Sequence, residues 1–122
     1  MALPFDSERW DTTNLHDAVN PTRLTAPVPG KYFIFGNVQF SQNATGSREL
    51  YVRVNGLPAQ TIIAFERMAA TPGGGAILSV ATHYQLDAGD FVELYVEQSS
   101  GVTLDVMRPG SYSPEFGMVK VP

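Results

Sequence analysis

The residues that could do chemistry in this 122-residue chain are few: two histidines, His16 and His83, twelve carboxylates, and no cysteine. Without cysteine there is no thiol nucleophile, disulfide or thiolate metal site. His83 falls on the outward side of a strand pattern, where solvent or interface packing fits it better than a ligand or general-base role. There is no Gly-x-Ser-x-Gly elbow and no His-Glu-x-x-His, and Gly73 to Gly75 lack the following Lys and helix of a phosphate cradle. Asp87, Asp90 and Asp105 carry the hard oxygens that Ca²⁺ takes, although acidic residues at turns more often cap backbone N–H groups. Calcium is thus the one cofactor left open, and the expectation is none. Asn43-Ala44-Thr45 has the form of an N-glycosylation acceptor and reads as a chance match in a polar loop. The expected protein is not an enzyme.

The elements that position these residues are strands. Eleven Gly and nine Pro with only 16% charged residues call for short elements joined by tight turns, and the length fits one domain with one core. Tyr32, Ile34, Val38 and Phe40 alternate onto one face of a strand from Lys31 to Ser41, with Phe33 and Phe35 interrupting the polar side. Leu50, Val52 and Val54 point inward from Glu49 to Asn55, and Asn55-Gly56 is a hairpin signal leading to a strand at Thr61. Leu78, Val80, Tyr84 and Leu86, then Val92, Leu94 and Val96, then Leu104 and Val106 repeat the pattern, and Phe116 to Val121 closes the series. With Arg23 to Ala26 and a piece near Phe5 to Trp10, the pattern predicts an all-β, single-domain jelly-roll sandwich of about eight to ten antiparallel strands. Residues 1–22 form an N-terminal strand or arm with a connection, and 23–122 form the core. Gly30 and Gly89 each stand at a turn entering a strand, where a positive φ or a close approach calls for glycine.

Phe33, Phe35, Tyr51, Phe91 and Tyr95 stand on faces that alternation assigns to solvent. Outward aromatics of this kind either form an interface or are covered within the monomer, and periodicity does not choose between the two. The N-terminal segment presents the same choice. Leu3, Phe5 and Trp10, set among polar residues, form either an attachment arm or an edge strand of the chain's own sandwich. A net charge of −4 disfavours nucleic acid or anionic lipid as a partner. Met1 to Trp10 lacks the basic-then-apolar pattern of a secretory signal, and no apolar run approaches the ~20 residues that span a bilayer. The expected product is soluble, complete and made in a cytoplasm.

Three motifs together resemble one family. Gly30-Lys31-Tyr32-Phe33-Ile34 follows Pro27 and Pro29, Gly89-Asp90-Phe91-Val92-Glu93-Leu94 lies further on, and Phe116-Gly117-Met118-Val119 is a shortened closing motif. In this order they are similar to the trimeric jelly rolls of the complement component q globular head and its relative, tumour necrosis factor. The resemblance implies a threefold homotrimer with the outward aromatics at its seam, and binding rather than turnover. The collagen-like stalk of many animal members is absent, so the chain looks more like stand-alone bacterial or phage versions. The implied role is a structural or adhesive virion component, such as a capsid decoration or fibre-tip protein, whose partners are itself, a capsid or tail protein and a host surface protein or carbohydrate. The alternative is a soluble, extracellular lectin-like or signalling module.

Overall fold

The computed structural model describes residues 1–5, 8, 15–16, 18–55, 61–110 and 112–122. Seven strands form among them: β1 (Arg23–Thr25), β2 (Gly30–Gln39), β3 (Ser47–Val54), β4 (Thr61–Ala69), β5 (Ile77–Leu86), β6 (Phe91–Gln98) and β7 (Glu115–Lys120). They pair antiparallel into a four-stranded sheet ordered β1-β6-β3-β4 and a three-stranded sheet ordered β5-β2-β7. The chain passes from one sheet to the other at every connection except β3 to β4, which is the wrapping of a jelly roll.

Alternation does the folding. Tyr32, Ile34, Val38 and Phe40 on β2 and its extension are at most 1% exposed, and they face Leu50, Val52, Leu94 and Val92 of the other sheet, which are fully buried. Leu78 and Leu86 from β5 and Met118 from β7 complete the same core. The Tyr32 hydroxyl reaches the rim and donates to the Val28 carbonyl at 2.7 Å, so its burial leaves no orphaned donor. Arg48, 1% exposed, shares the inward parity of Leu50. Its guanidinium donates to the carbonyls of Asn43, Thr45 and Ser47, fastening the loop before β3.

Among the described residues seven strands stand against the expected eight to ten, with isolated bridges at Ala2 and Val106 marking further pieces. Thr103 to Met107 contributes a single bridge, Phe40 with Val106, because Ser41 N–H donates to the Asp105 carbonyl and Met107 N–H to the Gln39 carbonyl before Pro109 and Gly110 carry the chain away. The piece expected near Phe5 to Trp10 lies largely outside the described residues, and strand pairing is seen ahead of it. Ala2 bridges Tyr95, the Leu3 N–H donates to the Leu94 carbonyl, and the Met1 amine donates to the Val96 carbonyl. Residues 1–3 thereby continue the β1 side of β6. Six residues separate β3 from β4, and Asn55 opens that link with φ of 58°.

The two sheets approach each other along one side, where β4 and β5 are edge strands. A groove of about 380 Å³ runs between them, lined by Ile63 to Glu66 and Ser79 to Thr82. Glu66 crosses it, its carboxylate accepting the Ser79 N–H at 3.0 Å.

Gly89, φ 90°, needs its glycine for backbone reasons, whereas Gly30 does not: a Cβ there would meet only the flexible end of the Lys120 side chain. Gly89→Val is expected to lower stability by about 1–2 kcal/mol in chemical denaturation, while Gly30→Val should cost visibly less; equal losses would refute the distinction. Deleting residues 1–5 removes Leu3 from the core and Phe5 from its contact with Phe116, so the truncated chain should melt well below the full one. An unchanged melting temperature would show that the segment is dispensable.

Candidate functional site

The outward faces of the two sheets differ in chemistry. On the three-stranded sheet the register aligns His83, Phe33 and Val119 in one row and Ala81, Phe35 and Gly117 in the next. Phe33 stacks on Phe35 with ring centroids 5.7 Å apart and meets His83 at 5.1 Å. A Cβ on Gly117 would lie 2.2 Å from Phe35 Cζ, so glycine is what lets the Phe35 ring lie across β7. Val119 is 53% and Phe35 36% exposed. The polar row of Ser79, Asn37 and Glu115 lies on one side of this apolar band and the row of Gln85 and Lys31 on the other. Asn37 donates to Glu115 at 2.8 Å, while its own side-chain oxygen is buried without a partner.

On the four-stranded sheet the outward face is an aromatic row under arginines. Phe65, Tyr51 and Tyr95 lie directly opposite one another on β4, β3 and β6, with Tyr51 stacked at 5.9 Å on Phe65 and 5.4 Å on Tyr95. Arg53 lies over Tyr95 and Tyr51, Arg67 over Phe65, and Arg23 over Phe91. This packing covers Tyr51 to 3% and Tyr95 to 8% exposure. Thr22 and Tyr95 hydroxyls address Glu93, the Tyr51 hydroxyl donates to Glu97 at 2.7 Å, and Arg67 donates twice to Glu49.

The five aromatics singled out in the sequence therefore do not share a surface. Phe33 and Phe35 occupy one outward face; Tyr51, Phe91 and Tyr95 occupy the opposite one. Tyr51 and Tyr95 are closed over by the chain's own side chains, because long arginines at alternate positions of the same face lie down on the rings. Leu3, 8% exposed, is packed into the core, since β6 supplies backbone partners for residues 1–3, and Phe5 lies half-buried against that core. Trp10 lies outside the described residues. His83 stands on the outward side as its alternation requires, and the His16 ring contacts the Pro21 carbonyl. Asp90 spends both carboxylate oxygens on Asn55 and the Asp87 N–H, and no three His, Asp or Glu side chains converge on a metal position among the described residues. Gly117 and Val119 entered the sequence reading only as part of a closing motif and the arginines were not singled out; the arginine signal was their placement on the outward alternation beside aromatics.

No protein-family profile matches the chain. An uncharacterized protein of Acanthamoeba polyphaga mimivirus is 33% identical over 84 residues, a match that takes in 67% of this chain and 36% of that protein. The chain thus spans about a third of the length of that relative.

Burial, followed by the hydrogen bond to Glu97, pushes the Tyr51 hydroxyl up from 10.0 to about 12, with Arg53 acting in the opposite sense. A folded-state value above the unfolded one stabilises the fold fully below pH 10, and that contribution is lost as pH rises toward about 12. An alkaline titration of phenolate absorbance should show a late-ionising component that is lost in Tyr51→Phe. An alkaline profile unchanged by that substitution would contradict it.

Proposed function

We propose that this chain is a non-enzymatic structural or adhesion module that assembles as a homotrimer and serves as a virion component. The observation that carries the reading is the apolar band of Phe33, Phe35 and Val119 on the three-stranded sheet. Two adjacent apolar rows bordered by polar ones match the pattern of an interface core with a polar rim, and exposed patches of this kind mark association surfaces on soluble sheets. The β5 and β7 ends of the band differ in composition, so a closed ring would set the β5 side of one copy against the β7 side of the next. The viral source of the mimivirus relative supports a virion setting, and capsid decoration or a fibre tip are the roles a rigid trimer would fill there.

Light scattering at micromolar concentration should return about three times 13.3 kDa. Phe35→Asp and Val119→Asp place a carboxylate in the band, where burial without a partner is costly, and each should shift the mass to that of one chain while circular dichroism stays native. A wild-type chain that is monomeric across this range would sink the trimer.

A further inference from the structure

The outward face of the four-stranded sheet offers an asymmetry of hydrogen-bonding capacity. All three carboxylates on it are engaged: Glu49 by Arg67, Glu97 by Tyr51, and Glu93 by Thr22 and Tyr95. Two of its three guanidiniums are not. Arg23 lies with Cζ 3.9 Å above the Phe91 ring and Arg53 with Cζ 4.6 Å from the Tyr95 ring, and neither side chain bonds to a described residue. The Nε of Arg53 is buried and unpartnered, and Arg23 and Arg53 are each half-buried. Such ring contacts occur roughly once per 70–80 residues in proteins; here three arginines make four of them on a single face.

A guanidinium held flat on an aromatic ring has already given up much of its conformational freedom, and its planar fork is shaped for a carboxylate. We infer that Arg23 and Arg53 form a two-point docking surface for an acidic segment of a protein partner. The choice of partner rests on charge complementarity, because this face has satisfied acceptors and spare donors. Spacing narrows it further. Phe91 and Tyr95, which carry the two guanidiniums, are four residues apart on β6, or about 13 Å at the rise of a strand. An extended peptide places side chains on one side at that same separation when its acidic residues are four positions apart. Glu93 stands in register between Arg23 and Arg53 and disfavours a third negative charge at the midpoint. The surface lies on the opposite sheet from the apolar band, so it does not depend on self-association.

The test uses the full chain and three synthetic peptides of extended-favouring sequence: glutamates four residues apart, glutamates two residues apart, and glutamines in their place. Nitrogen-15 spectra should show saturable shifts of the Arg23 and Arg53 side-chain signals with the first peptide. The second should bind about tenfold more weakly, a difference of ~1.4 kcal/mol, and the glutamine peptide should not bind. Arg53→Gln should abolish the response, and Arg53→Lys, which keeps the charge without the fork, should weaken it about tenfold. Arg23→Gln gives an independent variant if Arg53→Gln fails to fold. Equal affinity for the two acidic peptides, undiminished binding by a folded Arg→Gln variant, or tighter binding of polyuronate than of the peptide would overturn the proposal.

Discussion

Everything in this molecule hangs on β2 facing β6 across the sandwich. Each is flanked on both sides within its sheet, and Ile34 and Leu94 are fully buried. Each CH₂ they remove from water contributes about 0.8 kcal/mol. Because strand side chains alternate, committing the even-numbered residues of both strands to the interior fixes the outward set as well. Phe33 and Phe35 are driven out by the same parity that drives Ile34 in, and Glu93 and Tyr95 by the parity that buries Leu94.

The consequence is a domain with two differently finished exteriors. The β5-β2-β7 exterior keeps its aromatic surface uncovered, with Gly117 removing the side chain that would otherwise prop Phe35 off the sheet. On the β1-β6-β3-β4 exterior the aromatics are roofed by arginines, which shield the rings and hold cationic groups at fixed places. One exterior favours contact through desolvation, and the other through directed hydrogen bonds. The proposed self-association and the proposed acidic partner would therefore use separate surfaces.

The sandwich was legible in the sequence because alternation is a local signal. Leu50, Val52 and Val54, or Val92, Leu94 and Val96, announce a half-buried strand without any knowledge of their neighbours. Three things were not legible, all of them non-local. That Phe33 and Tyr51 face opposite exteriors depends on which sheet each strand joins. The cover over Tyr51 depends on Arg53 lying back across a cross-strand pair, which requires the β3–β6 register. The placement of Leu3 in the core depends on β6 leaving backbone groups free beyond β1, whose three residues are too few to use them. Thr103 to Met107 carries a strand's alternation and forms only a bridge, because periodicity records a side-chain preference and not the presence of a neighbouring edge.

The Glu66 carboxylate that spans the groove between β4 and β5 bears on how this chain behaves in a crowd. Exposed strand edges are templates on which foreign strands polymerise, and proteins protect them with inward-pointing charge. Glu66 supplies that charge and already occupies the Ser79 N–H that an incoming strand would seek. That side of the sandwich is thereby protected against runaway sheet growth. One acidic side chain thus withholds a ready-made template from any strand that meets this edge.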